Sequence, residues 1–196
     1  MSGLLLRGTD LNGLPIVSID DGDALAEVKD VVYSPERGAL LGFTLNKRGF
    51  LSGKMKAVLA YDDVAAIGRD AVMVDDPTAV TEGGESLSKV VERSSERNVL
   101  GNEVLTDGGR RLGEVIDVVI EVTSGDVVGY ELRGDKDLQA HAGQPLLIPI
   151  PATLAVSGSV LMVPASVEPY IRDDLSGFGA AVDEFRGELP REDAQG

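Results

Sequence analysis

The feature that most constrains this chain is that it repeats itself. Residues 25–45, LAEVKDVVYSPERGALLGFTL, align without a gap with residues 112–132, LGEVIDVVIEVTSGDVVGYEL, at an offset of 87. Nine of the 21 positions are identical: Leu25/Leu112, Glu27/Glu114, Val28/Val115, Asp30/Asp117, Val31/Val118, Val32/Val119, Gly38/Gly125, Gly42/Gly129 and Leu45/Leu132. Average composition gives roughly one or two matches by chance. Farther along, residues 58–74 follow residues 147–163 at an offset of 89, ending Ala71-Val72-Met73-Val74 in one copy and Val160-Leu161-Met162-Val163 in the other. The two-residue slip falls between the matched blocks, where a loop tolerates insertion. A chain of 196 residues is therefore two small units of one kind.

Within each copy the pattern is that of short strands punctuated by turns. The β-branched run Val28–Tyr33, the turn Ser34-Pro35-Glu36-Arg37-Gly38 and the run Ala39–Leu45 predict a hairpin. Its counterpart is Val115–Val122, Thr123-Ser124-Gly125-Asp126 and Val127–Leu132. Shorter strands are expected near Leu4–Arg7 and Ile16–Ser18, separated by Asn12-Gly13, and again at Val58–Tyr61 and Ala71–Val74. Five or six such strands bury one face without long open edges only by curling closed. The expected fold is all-β, two small barrels in tandem. Aromatic residues are only 4% and Trp is absent, so the cores are built from Val, Leu, Ile and Ala.

The boundaries follow from composition. Residues 1–76 form the first unit, 77–98 a polar linker, 99–171 the second unit and 172–196 an acidic tail. In the linker, Leu87, Val90 and Val91 suit a short helix from Ser86, and cleavage near Gly83-Gly84 is expected to release two independently folded units. In the tail, Phe178, Val182, Phe185 and Leu189 are spaced four, three and four apart, on one face of a helix that Pro190 ends. So short a helix is marginal alone in water. It docks on its own second barrel, or enters a groove of a partner or a second copy, or stays disordered.

The residues that mark the turns and strands carry a family resemblance. Gly101-Asn102-Glu103-Val104, the turn Asp107-Gly108-Gly109, then Leu112–Val119 and Val127-Val128-Gly129-Tyr130 resemble the PRC-barrel pattern. The first copy resembles it through Ala24–Val32, Leu40–Leu45, Leu59-Ala60-Tyr61-Asp62-Asp63-Val64 and Ile67-Gly68-Arg69-Asp70-Ala71. The likeness covers residues 4–76 and 99–168. Two departures stand out: Ala26 replaces Gly113, and Ala60 and Asp62 stand where the second copy has Pro149 and Pro151. The family includes the cytoplasmic domain of photosynthetic reaction-centre H subunits and the carboxy-terminal domain of the ribosome maturation factor RimM. The resemblance implies a non-catalytic adaptor or assembly scaffold that docks onto a larger protein complex through barrel surfaces and loops. Its alternatives are an accessory protein in ribosome or RNA maturation, and a small-ligand binding module with a site between the barrels.

Charge narrows the partners. With 18 basic and 33 acidic residues the net charge is −15, which repels nucleic-acid phosphates and argues against direct nucleic-acid binding. A protein partner is expected, with homo-oligomerisation and peripheral membrane contact left open. Cysteine is absent, which removes thiolate chemistry and suits a reducing compartment. The opening apolar run is too short for a signal peptide and no segment approaches the ~20 apolar residues of a membrane helix, so a cytoplasmic location is expected.

No residue pattern demands catalysis, a metal or a cofactor, and none is expected. The lone His141 has no counterpart in the first copy and reads as a loop residue. Glu27/Asp30 and Glu114/Asp117 are paired carboxylates, but their retention in both copies is better explained by the fold, as acceptors of backbone hydrogen bonds near a strand bend. Asp20-Asp21-Gly22-Asp23 lacks the alternating ligands of a calcium loop and reads as a turn. Between residues 37 and 56 there is no acid, while Lys47, Arg48, Lys54 and Lys56 flank Phe50 and Leu51. These six, with the tail stripe Phe178, Val182, Phe185 and Leu189, are the candidate partner-binding residues.

Overall fold

A computed structural model describes residues 3–35, 37–47, 54–82, 99–134, 145–150, 156–157 and 159–188. In chain order the first copy supplies β1 (Leu5–Arg7), the four-residue helix α1 (Gly8–Leu11), β2 (Pro15–Ser18), β3 (Ala24–Ser34), β4 (Ala39–Asn46), β5 (Lys54–Ala60), β6 (Ala66–Ile67), β7 (Val72–Val74) and β8 (Thr81–Glu82). The second supplies β9 (Glu103–Thr106), β10 (Arg111–Glu121), β11 (Asp126–Gly134), β12 (Leu146–Pro149), β13 (Val156–Ser157) and β14 (Val160–Val163). A 3-10 turn at Ala165–Tyr170 then leads to the helix α2 (Phe178–Glu188). The fold is the tandem of curled β-units that the sequence implies, closed by one short helix.

The two copies share a wiring diagram. In each, the long hairpin is antiparallel (β3 with β4, β10 with β11), and the strand before it pairs antiparallel with its first arm. That same strand pairs in parallel with a later one, β2 with β7 and β9 with β14. The register breaks between Val28 and Asp30 and between Val32 and Tyr33 in β3, and between Val115 and Asp117 and between Val119 and Ile120 in β10. These positions are equivalent. A bulge bends its strand and raises the local twist, so two of them let an 11-residue strand wrap a small barrel. The sequence departures sit inside this frame unchanged. Ala26 and Gly113 are opposite Ile16 and Val104, and Ala60 and Pro149 are opposite Gly42 and Gly129.

The copies also join each other. The sheet runs β13-β14-β9-β10-β11-β4-β3-β2-β7-β6, so it passes from one barrel to the other at the pair β11/β4. Ala39 lies opposite Asp126; the Leu40 N–H donates to the Gly125 carbonyl (2.7 Å) and the Val127 N–H to the Gly38 carbonyl (2.8 Å). Leu40 and Val127, like Gly38 and Gly125, are equivalents at the repeat offset, so the contact has local two-fold character. The expected strand near Leu4–Arg7 exists, but it pairs with β10 of the other copy, Leu5 opposite Glu121 and Arg7 opposite Val119. One apolar cluster crosses the seam, with Leu11, Ile16, Phe43 and Leu59 from the first copy and Leu112, Ile120, Tyr130 and Leu132 from the second.

The Tyr61 hydroxyl adds a side-chain tie across the seam, 3.0 Å from the Val122 carbonyl and 3.1 Å from that of Thr123, donating its one proton to this pair. The ring fits because position 125 is glycine; a Cβ there would lie 2.6 Å from its edge. Residues 77–82, which the sequence assigns to the linker, form a 3-10 turn over Pro77–Ala79 and the strand β8, paired with β5 at Ala57 and Val58. The Asp76 carboxylate opens the turn by accepting the Thr78 N–H at 2.7 Å. The expected helix from Ser86 and the cleavage point at Gly83-Gly84 lie outside the described residues.

For the tail, the structure selects docking on the chain's own barrel. Phe178, Ala181, Val182 and Phe185 are buried. Phe178 and Val182 pack with Val119, Val128 and Leu147 of the second copy, and Phe185 meets Tyr170 with ring centroids 5.6 Å apart. Gly129 makes the seat, since a Cβ on it would collide with the Phe178 ring. Each buried phenylalanine contributes roughly 1.5–3 kcal/mol, enough to hold a helix that could not stand alone. The stripe Phe178, Val182 and Phe185 is therefore covered by this barrel rather than offered to a partner; Leu189 lies outside the described residues.

Candidate functional site

Equivalent carboxylates from the two copies, Asp30 and Asp117, line one cleft of about 370 Å3 at the seam. Thr9 of α1, Tyr33 and Thr44 of the first copy and Leu100 before β9 complete its working surface. Asp117 follows the first bulge of β10, which turns its side chain toward α1. It is only 6% exposed, yet both oxygens are engaged. One accepts the Thr9 N–H (3.1 Å) and the Thr9 hydroxyl (2.5 Å); the other accepts the Val118 N–H (2.8 Å). The first N–H groups of a helix have no internal partner, so the carboxylate satisfies a donor that α1 cannot.

Glu131, on the neighbouring strand and 5% exposed, accepts the Arg7 guanidinium at 2.8 Å. Arg7 and Thr9 thus clamp the β1–α1 segment, hereafter the strap, onto the second barrel. The pair is partly buried, Glu131 more so than Arg7, and desolvation offsets much of its attraction. The matching positions of the first barrel differ. Asp30 is exposed and pairs with the exposed Lys29 at 3.1 Å, a contact worth little in water. Thr44 replaces Glu131, and the strap's chemistry has no counterpart carboxylate there.

The tyrosines remain protonated hydroxyls. Burial raises Tyr33 above the ordinary tyrosine range, with nearby Tyr130 and Asp117 adding to the effect. Burial alone pushes Tyr130 up to about 12. At neutral pH they are hydrogen-bonding groups rather than bases or nucleophiles. Glu114 lies 3.6 Å from Arg133, away from the Asp117 clamp. The paired carboxylates of the sequence thus have separate partners, and Asp117 takes the backbone-accepting role expected of it. Among the described residues no group of three or more His, Asp or Glu could hold a metal ion. The Asp21 carboxylate accepts the Asp23 N–H at 3.0 Å, as the turn reading of Asp20–Asp23 implies, and that bond holds its pKa below the usual range.

Of the basic loop, Lys47 is exposed at the end of β4. Lys54 and Lys56 lie in β5, with Lys54 opposite Asn46 in register. The side chains of Lys54 and Lys56 are outside the described residues, as are Arg48, Phe50, Leu51 and His141. Of the loop candidates whose side chains are described, Lys47 does not line the cleft. What sequence reading passes over is the clamp itself: Arg7 and Thr9 find Glu131 and Asp117 at separations of 124 and 108 residues, and no local pattern marks either pair. No helix among the described residues is long and apolar enough to cross a membrane.

The family model of the PRC-barrel domain matches the chain twice, over residues 5–81 and 91–168. No curated protein matches it.

Proposed function

The chain belongs to the PRC-barrel domain family, and on that premise we propose that it is a non-catalytic adaptor that docks onto a larger protein complex through its barrel surfaces and the loop Lys47–Lys56. Domains of this family are generally non-catalytic and generally take part in protein–protein interaction or assembly. The observation that carries the reading is the use of the second copy's buried acids. Asp117 and Glu131 are the buried acids among the described residues, and both hold the strap in place. By sequence the loop Lys47–Lys56 is basic and acid-free within an acidic chain, a contrast that suits docking on an anionic surface. The cleft supports one other reading, a small-ligand module, because apolar walls and a few polar groups meet there. The charge of −15 weighs against direct RNA contact in a ribosomal role.

The test begins with capture of the complex from native lysate by the tagged chain. Binding to the purified partner then follows, for the native protein and for K47E/R48E/K54E/K56E. The adaptor reading expects a saturable complex that the variant weakens about tenfold or more, with a flatter salt dependence. A complex unaffected at low salt removes the loop from the reading. Saturable binding of a small molecule without any protein complex would replace adaptor by ligand module.

A further inference from the structure

We propose that the seam between the barrels is also a surface for assembly in trans, where the first barrel of one chain docks on the second barrel of another copy. The contact is made of backbone groups exchanged by equivalent residues. Leu40 N–H reaches the Gly125 carbonyl just as Val127 N–H reaches that of Gly38. The backbone part of the contact is thus self-complementary, in the manner of a two-fold interface between subunits. Nothing in these bonds requires the two barrels to belong to one chain.

Side chains then choose which barrels pair. The strap of a first barrel brings Arg7 and Thr9, and the second barrel meets them with Glu131 and Asp117. A first barrel meeting another first barrel would set Arg7 near Thr44, with no carboxylate at the Glu131 position. A partly buried guanidinium left unpaired is costly. A second barrel meeting another second barrel would leave Glu131 and Asp117 without Arg7 and Thr9, so first-to-second pairing, within a chain or between chains, is the one that satisfies both sets. Within a chain, a short linker supplies an effective concentration on the order of millimolar, so the closed monomer prevails in dilute solution. Exchange between chains gains when protein is locally concentrated, as on a large assembly. This use rests on the adaptor reading, whereas the pairing itself does not.

The absence of cysteine makes a clean test possible in the full chain. Ala39 and Asp126 are a directly opposed, non-hydrogen-bonded pair, for which the Cα separation is about 4.5 Å, inside the range a disulfide spans. The double variant A39C/D126C is expected to close its disulfide within one chain. Chains carrying only A39C and chains carrying only D126C, unfolded together and refolded at protein concentrations on the order of millimolar, are expected to yield a covalent species of twice the chain mass. Neither variant refolded alone should give it. Failure of the mixture, with the double variant closing normally, overturns assembly in trans. Dimers of A39C alone in equal yield overturn the first-to-second rule, and failure of the double variant overturns the seam geometry. A failed cross-link leaves docking on an outside partner intact, and loss of that partner leaves the cross-link intact.

Discussion

Asp30 and Asp117 occupy the same place in the repeat, follow the same bulge and line the same cleft, yet they live in different surroundings. Asp117 is buried and holds three donors, whereas Asp30 is open to water beside Lys29. The second barrel also carries α2 on its outer wall, seated at Gly129. The difference teaches that a repeated residue reports the shared strand geometry, while its role is set by what another part of the chain lays against it. The strap covers the second barrel because Arg7 and Thr9 find acids there.

The largest effect should come from the helix that marks the second barrel. Phe178→Ala opens a cavity over Val119, Val128 and Leu147 and is expected to lower unfolding free energy by about 3–5 kcal/mol, read from denaturant titration. Gly129→Val should mimic it by displacing the ring. Full stability in both variants would mean that α2 does not pack on this wall.

The carboxylates provide the direct contrast. Asp117→Ala leaves the Thr9 and Val118 N–H groups without their acceptor and should cost about 2–3 kcal/mol. Asp30→Ala should stay within about 0.5 kcal/mol, as for other exposed sites. Equal costs, measured by thermal unfolding of both variants, would erase the distinction between the barrels.

Alkaline pH separates Tyr130 from its equivalent, Phe43. The Tyr130 pKa is raised by folding, to about 12 from 10.0. The folded state therefore keeps a proton that the unfolded chain gives up first. This contribution is fully present below pH 10 and is lost as pH rises toward 12; its size is roughly 3 kcal/mol. Tyr130→Phe, which makes the second barrel match the first here, should flatten the loss between these limits. Tyr33, raised in the same direction, accounts for part of what remains. An unchanged alkaline profile would show that Tyr130 is not desolvated.

The smallest effect is expected at the tie across the seam. Tyr61→Phe keeps the ring over Gly125 and removes the proton donated to the Val122 and Thr123 carbonyls, for a loss of about 1 kcal/mol. Because the equivalent residue is Ile150, Ile150→Val is expected to lack this polar component and to show only the cost of a methylene. A Tyr61→Phe protein as stable as native would leave the join to backbone and apolar contacts.

Much of the barrel was legible because strands are announced locally. The β-branched runs around Val28 and Val115, the turns holding Gly38 and Gly125, and the four-three spacing of Phe178, Val182 and Phe185 each state a period within a few residues. The offset of 87 states that the same fold occurs twice. By itself the sequence determined the strand content, the duplication, the apolar face of the last helix and the fold-related part played by Asp117. Only the tertiary structure decided that β1 belongs to the other copy's sheet, that Arg7 and Thr9 meet acids more than a hundred residues away, and that one cleft lies between the copies. The physical reason is that side-chain periodicity selects which face of a strand is buried. The ladder joining two strands is made of C=O groups that every residue carries and N–H groups that only proline lacks, so a strand's partner is fixed by closure of the whole sheet and leaves no mark in its own residues.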